Sequence, residues 1–197
     1  MSLYRDYSWL IQNTQLADAS PIPVLIYNFP GVVAGLDVNS DALDRLGAHP
    51  NIVGVKLTCG GIGKVSRIRA RFTPSEFCAL AGQSDWLLPA MSVGSTGSIT
   101  GVANAFPQVT LELYNNSLKG SYKAAEAMQH KVAKMEWGLL KGGINGTKWV
   151  VAKVRGYPES SCHCRRPYPK YDDGEKQRWI LDTVSELVAE EEGLTSL

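Results

Sequence analysis

Between residues 21 and 107, short apolar runs alternate with stretches whose apolar positions follow a helical period. PIPVLIYNF (21–29) is rich in branched residues, is opened by prolines, and predicts a buried strand. VNSDALDRLGAHP (38–50) offers a cap at Ser40 or Asp41 and a proline stop, and predicts a helix. NIVGVKLTCGG (51–61) predicts a second buried strand running into glycines, and KVSRIRARF (64–72) a short helix or helical turn. EFCALAGQS (76–84) predicts a third strand, DWLLPAMSVG (85–94) a helical or irregular stretch weakened by Pro89, and GSITGVANAFP (97–107) opens as a fourth strand. Such β-α alternation argues for a parallel sheet with right-handed crossovers. The near-continuous hydrophobicity of the four runs is the pattern of strands buried on both faces.

After Pro107 the period changes. Residues 116–140, with Leu118, Tyr122, Ala125, Met128 and Val132 in helical register, predict a long amphipathic helix. GGINGTKWVVAKVRG (142–156) predicts another, and GEKQRWILDTVSELVAEEEG (174–193) a final one, separated by a loop rich in Pro, Arg and Tyr. At the start of the chain Tyr4, Tyr7, Leu10 and Ile11 fall on one helical stripe. The expected organisation is an N-terminal helical segment (1–20), a block of βα units (21–115) and C-terminal helices (116–197).

With 197 residues the chain suits one domain, with a small appendage, around a substantial core. A net charge of +1 gives no reason to expect nucleic acid or an anionic membrane as partner. Met-Ser-Leu-Tyr-Arg-Asp has no basic region followed by an apolar one, so no secretory signal is expected, and no apolar stretch reaches the length of a membrane span. Of the four cysteines only Cys162 and Cys164 are close, flanking His163 at a spacing tighter than usual zinc pairs and without a second pair, so plain thiols and no metal are expected. A reduced, cytoplasmic setting follows. His49, His130 and His163 are isolated from one another and read as surface or loop residues; the tryptophans at 137, 149 and 179 read as core or oligomer contacts.

In a parallel βα architecture, ligand groups come from the C-terminal ends of strands. The first predicted strand ends in Tyr27-Asn28, the second in Lys56-Leu57-Thr58, and the fourth is introduced by GSTGSITG, whose glycines allow close backbone approach to a ligand. Lys56 stands inside an apolar strand, where an ammonium ion is costly unless paired or used. One reading is a side chain that snorkels out of the strand end. The other is a nucleophile: burial disfavours the charged form and leaves a free amine able to attack a ketone. A phenol on the adjacent strand, Tyr27, would then relay protons.

YNFPG, then GVKLTCGG on the next strand, then GSTGSITGVAN two strands later, resembles the dihydrodipicolinate synthase and N-acetylneuraminate lyase family, class I Schiff-base aldolases on (β/α)8 TIM barrels. The resemblance runs from about Ala17 to the C-terminus, and SPIPVLIYNFPGVVAGLDVNS is most similar to the fungal sugar-acid members. It implies that Lys56 forms the Schiff base with C2 of a 2-oxo acid and that Tyr27 is the proton relay. Gly97 and Ile99 match the loop whose backbone lines the pocket, Thr58 joins them as a substrate-binding residue, and Asn28 and Pro30 shape the loop after the strand. The implied reaction is cleavage of a 2-keto-3-deoxy sugar acid, such as L-threo-3-deoxy-hexulosonate, to pyruvate and an aldehyde such as glyceraldehyde. No metal or organic cofactor is implied, because the lysine supplies the electron sink, and the family implies a homo-oligomer.

Two departures shape the expectation. Dihydrodipicolinate synthases proper carry an arginine soon after the Tyr-Asn motif; here Val32 stands at about that place, which points away from lysine biosynthesis. The family's first four βα units, with a Gly-Thr-Thr-Gly-Glu-type motif that holds the substrate carboxylate, are expected to be absent, and GSTGS at 94–98 belongs to the fourth strand present. Four strands cannot close a barrel, which takes around 250 residues, and would leave two bare edges and an exposed inner face. The alternatives are a truncated paralogue that acts by association, a 4-hydroxy-2-oxoglutarate aldolase or dihydrodipicolinate synthase-like enzyme, and a half-barrel that pairs with a second copy.

Overall fold

The computed structural model describes residues 3–195, with side chains from residue 10 onward; Tyr4 and Tyr7 of the expected N-terminal stripe lie outside the described side chains. The order is α1 (Leu3–Ala19), β1 (Val24–Asn28), α2 (Ser40–Gly47), β2 (Ile52–Leu57), α3 (Ile62–Arg71), β3 (Cys78–Ala81), α4 (Leu87–Ser92), β4 (Gly97–Ser98), α5 (Pro107–Leu118), α6 (Tyr122–Val154) and α7 (Gly174–Thr195). Two compact units result, residues 1–82 with 89–99, and residues 83–88 with 100–197.

The first unit holds a parallel sheet in the order β1-β2-β3-β4. Each strand lies beside its predecessor, the single winding of a (β/α) barrel rather than the reversing order of a doubly wound sheet. On one face Ile26, Val55, Leu57, Ala79 and Ala81 are buried, with Leu43 and Leu46 of α2 and Val65 and Ile68 of α3. α2 packs on β2, α3 on β3, and α1 on α2. The other face is not sealed: Leu25 is 38% and Tyr27 51% exposed. Burial of every strand on both faces is therefore corrected at β1, because the unit's helices lie against the opposite face.

Local chemistry sets the element ends. The cap of α2 is Asn39, not Ser40 or Asp41: its backbone is extended and its side chain accepts from Ala42 N at 2.9 Å. Ser40 is already inside the helix and instead accepts from Arg67 Nε. Asn51 opens β2 and donates to Ala17 O (2.8 Å) and Ser20 O (3.0 Å), fastening the end of α1 beside the strands. His49 accepts from Asn51 N and bonds Asp18, a structural role. The fourth strand is only two residues long, and a 3-10 turn at Val102–Asn104 follows it.

The second unit is helical, with α5, α6 and α7 packed on one another. The single helix expected over 116–140 is split, because α5 begins with Pro107 in its first turn and ends before Gly120 (φ 70°). Leu118 and Tyr122 are accordingly exposed, not part of a buried stripe. α6 breaks at Gly143 (φ 62°, ψ −163°), a conformation that suits glycine, near where the sequence separates two helices. Trp149 is buried against Tyr171, whereas Trp137 and Trp179 are exposed and flank the Lys141 ammonium. Among the described residues no helix is long and apolar enough to cross a membrane.

The second unit also encloses a carboxyl group. Glu136 of α6 accepts from Ser84 N (2.6 Å) and from the Ser84 hydroxyl, with Thr100 Oγ1 3.3 Å away. Burial pushes the Glu136 carboxyl up, the Ser84 hydrogen bonds oppose this, and the nearby Asp85 carboxyl adds to the rise. A carboxyl whose folded value is raised adds most stability when protonated, and that contribution fades as pH rises through the folded value. Glu136→Gln, a neutral isostere, should therefore compare better with the wild type at about pH 8 than at about pH 4. Glu136→Ala should cost about 1–3 kcal/mol by leaving the buried Ser84 N–H unpaired. Urea unfolding of the three chains across pH measures both.

Candidate active site

The ladder fixes which side chains share the open face. Tyr27, Lys56, Leu80 and Gly97 are partners across the four strands, and in-register residues of parallel strands point the same way. Asn28, Leu57, Ala81 and Ser98 form the next row on the opposite face. One residue further, Thr58, Gly82 and Ile99 return to the open side. Their amides extend the ladder by one bond each: Thr58 N to Asn28 O, Gly82 N to Leu57 O and Ile99 N to Ala81 O, all at 2.9 Å. The sequence-predicted residues Tyr27, Lys56, Thr58, Gly97 and Ile99 thus occupy two adjacent rows at the C-terminal ends of the strands.

Within the first row the Lys56 ammonium stands 4.2 Å from the centre of the Tyr27 ring, a cation–π contact. Phe29 packs on the other aromatic at 5.7 Å between ring centres. Lys56 is half-buried: its strand is apolar, but the face toward which the lysine points is open. Gly97 has φ 141° and donates to the buried Ser95 hydroxyl, which also lies 2.8 Å from Ala79 O. Ile99 keeps an exposed side chain above an amide committed to the ladder.

Thr58 carries a buried hydroxyl with no hydrogen-bond partner among the described residues. Gly82 explains how it fits: a Cβ there would lie 2.0 Å from Thr58 Oγ1 and 2.7 Å from its backbone Cα and N. The sequence does not single out Gly82 as a site residue, although a glycine closing a strand is a signal of close approach.

Behind the open face, Asn28 is buried. Its Nδ2 donates to Asp37 Oδ1 (2.8 Å) and its Oδ1 accepts from Val38 N (3.1 Å), so one side chain spans the turn that follows β1. Asp37 also pairs with Lys64 of α3. Burial pushes the Asp37 carboxyl up, but hydrogen bonds from Lys64 and Asn28 and the lysine's charge outweigh it and hold it below the ordinary carboxylate range. Sequence reading assigns Asn28 the loop-shaping role and misses Asp37 and Lys64. Among the described residues no group of three His, Cys, Asp or Glu side chains could hold a metal ion, and the four cysteines are free.

Gly82→Ala should destabilise the first unit by about 1–3 kcal/mol, since the added methyl meets backbone that no rotamer change can clear. Thr58→Ala in the same chain should not recover the loss, which chemical denaturation of the single and double variants would measure.

The dihydrodipicolinate synthetase family pattern matches residues 12–186. A protein of Emericella nidulans named "probable 4-hydroxy-2-oxoglutarate aldolase, mitochondrial" is 43% identical over 152 residues, 77% of this chain and 48% of its own length. The L-threo-3-deoxy-hexylosonate aldolase of Hypocrea jecorina is 39% identical over 149 residues, 72% of this chain and 47% of its own length. The crystal structure of a dihydrodipicolinate synthase family protein from Coccidioides immitis superposes with a TM-score of 0.86 at 33% identity, covering 96% of this chain and 62% of that one. The chain spans about half the length of these curated relatives. Its four βα units are a partial barrel of their kind, and the chain belongs to the dihydrodipicolinate synthetase family.

Proposed function

We propose that the chain carries the Schiff-base half of a pyruvate-yielding aldolase, with Lys56 as the amine and Tyr27 as the proton relay. The observation that carries this reading is their pairing in register on one face, with the ammonium over the phenol ring at 4.2 Å. The Lys56 amine adds to the C2 carbonyl of a 2-keto-3-deoxy sugar acid and water leaves, giving an iminium. Tyr27 gives its phenol proton to that departing water and, as the phenolate, takes the proton of the C4 hydroxyl; the C3–C4 bond breaks and the bond's electron pair passes to the iminium as an enamine while C4 becomes an aldehyde. Protonation at C3 and hydrolysis then release pyruvate and restore the amine. Gly97 in the same row and Thr58 and Ile99 one step along the strands support the reading as the residues beside this pair. The named relatives favour a sugar acid or 4-hydroxy-2-oxoglutarate as substrate. Val32 in the turn after β1 disfavours a charged second substrate.

The open face supports a second reading, in which the chain acts by associating with another copy or partner. With Tyr27 half exposed, water reaches the groups that an aldolase would need to shield. Borohydride reduction in the presence of pyruvate, read by intact mass, separates the two. The aldolase reading predicts a reduced pyruvyl adduct on the wild type and none on Lys56→Ala. A folded wild type that takes no adduct leaves the associative reading.

A further inference from the structure

The first turn of a helix favours acidic side chains, because the unpaired N–H groups and the helix dipole present positive charge there. α3 breaks that preference. Its first turn contains Lys64, its cap residue Gly61 offers no side chain, and the lysine is only 11% exposed. Such a residue needs a counter-charge brought from elsewhere, and Asp37, from the loop after β1, supplies it.

The same Asp37 oxygen that receives Lys64 also receives Asn28 Nδ2. That bond orients the Asn28 amide so that Oδ1 faces Val38 N, while the Asn28 carbonyl accepts from Thr58 N. Asn28 follows Tyr27 directly, and Phe29, which comes next, packs on the Tyr27 ring. Each link joins a site residue to a group on the helix-covered side: Tyr27 through its neighbour, Thr58 through its amide.

We infer that Lys64 is a positioning residue, which holds the Tyr27 turn and the Thr58 amide in place through Asp37 and Asn28. The inference rests on the aldolase reading for its effect on chemistry, but not for its effect on structure. Without the ammonium, the half-exposed Asp37 carboxylate turns toward water, and the buried Asn28 amide loses the partner that sets its orientation.

The test compares wild type, Lys64→Met, and Lys64→Met combined with Asp37→Asn, by amide hydrogen exchange and by the rate of pyruvate trapping. Lys64→Met should speed exchange in residues 29–38 and slow adduct formation about ten-fold, as expected for a misplaced reacting group. Exchange across β3 should stay at the wild-type rate. The double variant should restore both readouts in part, because an asparagine at 37 can accept from Asn28 without a counter-charge. A lysine that merely stabilises α3 would loosen residues 62–71 and gain nothing from the change at 37. Wild-type exchange at 29–38 in Lys64→Met, or a double variant no better than the single one, overturns the inference. If the wild type itself takes no adduct, the aldolase reading fails and the exchange comparison still decides the role of Lys64.

Discussion

The pairing of β1 with β2 decides everything about the open face. From Leu25 opposite Gly54 to Asn28 opposite Leu57 the register runs without a break, after a shift between Val24 and Leu25. A slip of one residue would turn Lys56 toward the helices and bring Leu57 or Val55 to the open side. Several features hold the register where it is. Ile26 and Val55 must both face the helices, the Asn28 carbonyl is held by Thr58 N, and Gly54 sits so close to Cys78 that only a residue without a side chain fits. The contact between the Lys56 ammonium and the Tyr27 ring is a result of this ladder, not its cause.

The two faces of the sheet do different physical work. The helix-covered face has the density of a core and supplies the free energy of folding. The open face spends apolar area on solvent at Leu25 and Ile99, and it carries the candidate chemistry. The polar link Asn28–Asp37–Lys64 lies on the covered side and reaches the open one through the backbone, since Asn28 follows Tyr27 and its carbonyl accepts from Thr58 N.

Much of this could be read from residue order. The four strands and the helices between them follow from period and punctuation, because each is a local property of the chain, whereas bringing Tyr27 and Lys56 together rests on the family resemblance. The failures share a cause. The hydrophobic run 24–28 read alone suggests burial on both faces, whereas the count of only four βα units already implies an exposed inner face. The helix over 116–140 is split by Gly120, whose positive φ outweighs a favourable apolar stripe. The cap at Asn39 beats the equally suitable Ser40 by one residue, a margin that composition does not resolve. Gly82 and Lys64 matter through close approach and charge pairing with residues distant in sequence, and no spacing rule reports on either.

The glycines of the open face carry a consequence for how such a site diverges. Gly54 and Gly82 lie so close to the neighbouring strand that neither accepts even a methyl, and Gly97 holds a positive φ of 141°. That part of the floor is peptide backbone, whose donors and acceptors are the same in every descendant that keeps the fold. Mutation can therefore do little to retune preference from below. Latitude lies above, in the turn after β1, where Val32, Val33 and Leu36 are exposed and unconstrained by the ladder. Lineages sharing this floor would be expected to retain one chemical step at its centre and to differ in what they admit from that rim.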